Sequence, residues 1–123
     1  MRFVIEGRLD GLNEYTRANR SNRYQGNSMK ARNEKAVLWA IRAARLKPVE
    51  KYPVELQIAW YEPDRRRDVD NIQFAVKFIQ DALVEAGILE KDSQKYVSKL
   101  SHEVKVDRKN PRIEVTIKEM REC

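Results

Sequence analysis

The sequence predicts an α+β fold, a single domain over residues 1–123 in which a mixed sheet of about four strands carries two helices on one face, in the order β-α-β-α-β-β. Three observations carry this expectation. Alternating hydrophobicity marks segments at both ends of the chain and in its middle, and between them lie two segments whose apolar residues recur at spacings of three and four. The third is length, since 123 residues suffice for one core and not for two. With 41% hydrophobic and 36% charged residues the composition is that of a folded chain with a heavily charged surface.

The first strand is read over residues 2–9, where Phe3, Ile5 and Gly7 alternate with Val4, Glu6 and Arg8. Residues 10–28 are polar, rich in Asn, Ser and Gly and without sustained period, so they read as a long surface loop with at most one helical turn. Asn27 or Ser28 then caps a helix running to about Leu46, with Ala36, Val37, Ala40, Ile41 and Ala44 on its apolar face. Pro48 and Pro53 end it, and Val54, Leu56, Ile58 and Trp60 alternate in a strand over 53–62. In the second helix Ile72, Ala75, Val76, Ile79, Ala82, Leu83 and Ala86 repeat at helical spacing, and Gly87 stands where a left-handed cap belongs. A connector over 88–94 leads to a strand over 96–106, a turn, and a last strand over 112–120 in which Ile113, Val115 and Ile117 alternate.

Composition also excludes whole classes of function. The one cysteine, Cys123, has no intrachain disulfide partner, which fits a reducing, cytoplasmic setting. No apolar run approaches the roughly 18 residues of a membrane span, and the first residues alternate like a strand instead of opening a signal-peptide core. One His (His102) and one Cys cannot build the usual zinc site, so a metal would be held by oxygen. The net charge of +6 is concentrated: residues 1–50 hold eleven Lys and Arg against five Asp and Glu, and the rest of the chain holds fourteen of each. Such a concentration suits a polyphosphate partner, and a solvated basic helix face is the plainer alternative.

The stretch DRRRDVDN, residues 64–71, sets three arginines and two aspartates against a helix start. If residues 68–70 are extended, Asp68 and Asp70 share one side. Two close carboxylates repel unless a cation joins them, and Mg²⁺ is a cation that pairs with one or two carboxylates and substrate phosphate. Two plainer readings stand beside this one. An Asp before a helix is commonly an N-cap, and Arg65, Arg66 and Arg67 are placed to neutralise the pair. A calcium EF-hand loop does not fit, since Gln73 and Ile79 stand where it requires Gly and Glu. Further along, Lys77 and Asp81 fall on the helix face of Asp70 and, taken alone, read as a surface ion pair, and Asp92 lies in the connector. A helix of roughly 17 residues separates its ends by about 25 Å, so Asp92 meets Asp68 only if the chain doubles back or a second subunit completes the site.

In order, Asp68, Asp70 and Asn71, the helical Lys77, Asp81-Ala82-Leu83 and Asp92 resemble the signature of the RusA-type Holliday-junction resolvases, a family frequent in phages and prophages. The segment IEGRLDGLNEYTRANRSNR is similar to that family's N-terminal part, so the likeness spans most of the domain. The departure lies at the lysine: counted forward from the aspartates, the family's Lys falls where this chain has Phe74, and counted back from Asp81-Ala82-Leu83 it falls on Lys77.

The resemblance implies a homodimeric endodeoxyribonuclease that resolves four-way DNA junctions with Mg²⁺, for which Mn²⁺ substitutes. Asp68, Asp70 and Asp92 would be its metal ligands and Lys77 a phosphate contact. Arg17, Arg20, Arg23, Lys30, Arg65, Arg66 and Arg67 would then follow the DNA backbone, which positions a branched substrate without reading bases. A non-catalytic DNA-binding protein on the same fold is the alternative. A small toxin-like RNase fits less well, because the lone His102 sits in an alternating strand.

Overall fold

The computed structural model describes residues 1–120, so Cys123 lies outside the described residues. Four strands, β1 (Arg2–Glu6), β2 (Val54–Glu62), β3 (Val97–Val106) and β4 (Arg112–Glu119), form one mixed sheet in the order β1-β4-β2-β3. β4 is antiparallel to both its neighbours, and β2 and β3 are parallel. Period-two alternation sends Phe3 and Ile5, Leu56, Ile58 and Trp60, and Ile113, Val115 and Ile117 to one buried face. There they meet Val37, Ile41, Phe78, Ile79, Ala82 and Leu83 from the helices, and the opposite face is uncovered and polar.

The expected strands are all present, and the helical count is corrected. Among the described residues there are three helices of ten residues or more, α1 (Leu12–Ser21), α2 (Arg23–Ala44) and α4 (Val76–Glu85), and a five-residue helix, α3 (Val69–Gln73). The observed order is therefore β-α-α-β-α-α-β-β.

Residues 10–28, read as a loop, are mostly helix. In α1 only Ala18 is fully buried, so no broad apolar stripe announces it. Its stability comes from contact with α2 instead. Gly26 permits that contact: a Cβ there would come within 1.7 Å of the Asn19 side-chain oxygen. The break between the helices is Asn22, whose extended backbone ends α1 and whose side-chain oxygen accepts from the Gln25 N–H at 2.8 Å, capping α2. The cap is thus five residues earlier than Asn27, and the Asn- and Ser-rich composition that suggested a loop is in part cap chemistry.

The second expected helix is two. Ala75, Lys77 and Phe78 donate to carbonyls three residues back, a tightened turn that separates α3 from α4. The bend lets Phe74 and Phe78 pack on each other and on Tyr15 of α1, with ring centroids 5.3–6.0 Å apart. Beyond α4 the chain returns to the start of β2: Val49 N–H donates to the Ile88 carbonyl at 2.8 Å and Glu90 N–H to the Tyr52 hydroxyl at 2.9 Å. β2, the two helices and β3 therefore form a βαβ crossover, which a parallel pair requires.

Candidate active site

The loop from the end of β2 into α3 carries DRRRDVDN, and its geometry removes both plain readings of the aspartates. Asp68 occupies the N-cap position of α3, yet its side chain makes no capping hydrogen bond. None of the three arginines pairs with Asp68 or Asp70: Arg66 lies 3.6 Å from Asp64 and Arg67 binds Glu62, and Arg65 is exposed. Both carboxylates are exposed and without a cationic partner among the described residues.

Arg67 departs from its neighbours. Its guanidinium grips Glu62 with two hydrogen bonds of 2.9 and 2.8 Å and donates to the Leu9 carbonyl at 3.0 Å, with Glu14 at 3.6 Å. Arg8 adds a third bond to Glu62 at 2.9 Å. Burial alone would raise the Glu62 carboxyl, but the hydrogen bonds and charges of Arg67 and Arg8 outweigh it and hold that group below its ordinary range. A planar fork meeting a carboxylate in this way fixes the backbone that bears it. The residue next to Asp68 is therefore anchored to the end of β2 and the approach to α1. Glu62 escaped the sequence reading, although the signal was there: it continues the even-numbered buried register of Leu56, Ile58 and Trp60.

Asn71 is buried, and its side-chain oxygen accepts from the Asn13 N–H at 2.8 Å, joining the start of α1 to α3. Gly11 makes this approach possible, since a Cβ there would sit 2.7 Å from two Asn71 oxygens. On the other side of α1, Asp10 and Asn33 exchange bonds of 2.9 and 2.7 Å, tying α2 to the same corner. Around these struts Asn13, Glu14, Arg17, Arg66, Arg67, Asp68 and Asn71 line a recess of about 300 Å³. A cavity of about 360 Å³ on the uncovered sheet face shares none of these residues, and its charges are mixed.

The remaining expected site residues divide. Lys77 is exposed in the first turn of α4, beyond the bend, so it does not share one straight helix face with Asp70. Asp81 lies 3.8 Å from Lys30, which is also 3.9 Å from Glu34, so the cation beside Asp81 belongs to α2. Arg17, Arg20 and Arg23 are exposed at the junction of α1 and α2. Asp92 is exposed in the connector, two residues after Glu90, which binds Tyr52, and five before β3, so it lies at the start of the β2–β3 pair, whereas Asp68 and Asp70 follow its end. Ten residues of β3 separate those ends by about 30 Å. The chain does not double back, and among the described residues no group of three or more His, Cys, Asp or Glu is placed to hold a metal ion.

Among the described residues no helix is long and apolar enough to cross a membrane. No curated protein matches the chain. The family model described as Endodeoxyribonuclease RusA matches residues 11–118, which runs from the start of α1 to the last residue but one of β4 and includes both aspartates, Lys77 and Asp92. The chain belongs to the RusA endodeoxyribonuclease family.

Proposed function

We propose that this protein is a structure-selective endodeoxyribonuclease that resolves four-way DNA junctions by paired, Mg²⁺-dependent phosphodiester hydrolysis. The observation that carries the reading is the state of Asp68 and Asp70: exposed, uncapped and unpaired, although three arginines precede them, of which Arg66 turns to Asp64 and Arg67 to Glu62. Two hard oxygen donors of this kind fit Mg²⁺ or Mn²⁺. The ion would be held by Asp68 and Asp70, with Asp92 supplied by a second copy, because one protomer keeps Asp92 at the far end of the sheet. When bound, it supplies charge to the phosphoryl oxygens and acidifies water.

The chain's own residues do the rest. Arg67, held by Glu62, fixes the loop that carries Asp68. Lys77 offers a point charge to phosphate, and Arg17, Arg20, Arg23, Arg65 and Arg66 present an exposed basic surface to the backbone of the junction arms. A homodimer fits paired nicks, with one site for each strand.

The lack of a three-acid cluster among the described residues of one protomer favours a second reading, a DNA-binding protein that keeps the fold without the chemistry. Incubation with a synthetic four-way junction and with linear duplex, with and without Mg²⁺, separates the two. Symmetric nicks in the junction that require the metal support the nuclease, and junction binding without cutting at any Mg²⁺ or Mn²⁺ concentration supports the alternative.

A further inference from the structure

We propose that the free edge of β3 is the surface on which two copies of this chain join, pairing antiparallel about a twofold axis at Ser101. The proposal deepens the dimeric reading above and rests on it for its meaning, not for its test.

β3 is a ten-residue strand at the margin of the sheet, hydrogen-bonded on one side to β2, and no other described segment bonds to its outer side. A long edge without Pro is a template for another strand unless something covers it. The opposite margin, β1, has only five residues. The helix-facing side of β3 also exposes apolar surface: Leu100 is 40% and Val106 42% exposed, and Val69, which lines a recess with Val104 and Val106, is 50% exposed. Lys99, Ser101, Glu103 and Lys105 occupy the other face.

Charge selects the occupant and the register. In an isologous antiparallel pair centred on one residue, opposing side chains lie on the same face. Two such registers use nearly the whole strand. Centred on His102, the pair sets Lys99 against Lys105 of the other copy, twice. Centred on Ser101, it sets Lys99 against Glu103 twice, Leu100 against His102 twice, and opposes no like charges between Val97 and Lys105. Lys99 lies 3.7 Å from Glu55 and Glu103 3.0 Å from Lys105, but with side chains 59% and 66% exposed these are surface pairs worth under about 1 kcal/mol, and both groups can exchange them to reach across.

The same twofold bears on the incomplete acid set. Antiparallel pairing lays the start of β3 in one copy beside its end in the other. Asp92, just before the start, then approaches the recess at the end, which Asp68 and Val69 line with Val104 and Val106. A parallel arrangement would leave Asp92 as distant as it is within one chain.

Sedimentation of the full chain, without DNA or metal, tests the surface. The expected result is a dimer. Glu103→Lys, on an exposed side chain, opposes like charges twice and shifts the protein to monomer, as Lys99→Glu does. The double variant K99E/E103K restores opposite charges at both pairs and returns the dimer, which a change confined to one chain's folding would not do. A wild-type monomer at micromolar concentration, or a dimer indifferent to the single reversals, overturns the proposal. Because sedimentation needs no catalysis, loss of the nuclease reading with an intact, charge-sensitive dimer would leave this surface standing.

Discussion

Arg67 closes a two-bonded grip on Glu62, at 2.9 and 2.8 Å, in a site where the two side chains are only 13% and 4% exposed. Its neighbour Arg66, 89% exposed, reaches only the surface carboxylate of Asp64. Breaking a buried pair by removing one partner costs about 3–5 kcal/mol, because the other charge is left uncompensated, whereas an exposed pair contributes under about 1 kcal/mol. Arg67→Ala is therefore expected to lower the urea midpoint sharply and Arg66→Ala hardly at all. Equal effects would show that Arg67 is not a structural anchor.

Stability should fall in two steps as pH drops. Trp60 donates to Nδ1 of His102 at 3.0 Å, and burial holds the imidazole below its ordinary value of 6.5. Between that value and the folded one the unfolded chain binds more protons, so stability declines as pH passes downward through this window. Glu62 gives the second decline, beginning below its ordinary value of 4.5 and completed as pH falls through its lowered folded value. Urea unfolding followed from neutral to acid pH checks both. His102→Gln should remove the first step alone.

Asp70→Asn is expected to abolish cutting while junction binding persists or tightens, since a ligand is lost and repulsion of phosphate falls. Retained nicking would show that Asp70 holds no metal. If Asp92 is contributed by the other copy, mixing the inactive Asp70→Asn and Asp92→Asn proteins under exchange creates heterodimers with one intact acid set, and single-strand nicking returns. Sites contained within one chain would stay silent in the mixture.

Arg20 and Arg23 flank the helix junction at Asn22 and are exposed. Replacing both by Ala should weaken binding to junction and duplex alike and flatten the salt dependence of log K by about 0.9 per lost phosphate contact. An unchanged slope in a titration over salt would place this corner away from DNA.

The strands were legible because each buries one face, and burial on one face writes a period of two into the sequence: Phe3 and Ile5, Leu56 to Trp60, and Ile113 to Ile117 are found where that period put them. The helix α1 was not legible, because it buries only Ala18 and is held by packing on α2, where Gly26 lies against Asn19, a contact between segments that no local period records. The single helix expected after Asp70 was divided for a similar reason, as Phe74 and Phe78 turn toward Tyr15.

For the candidate site, residue types and their order by themselves determined the chemistry to look for: carboxylates suited to a divalent cation, a lysine, and an excess of basic charge that lies in the first part of the chain. Which of three adjacent arginines is buried, and that neither a cap nor an ion pair uses Asp68 or Asp70, were decided only by the tertiary structure. The same holds for the distance to Asp92. A parallel β2–β3 pair needs a crossover that carries the chain back to the opposite end of the sheet, so closeness in sequence became separation in space.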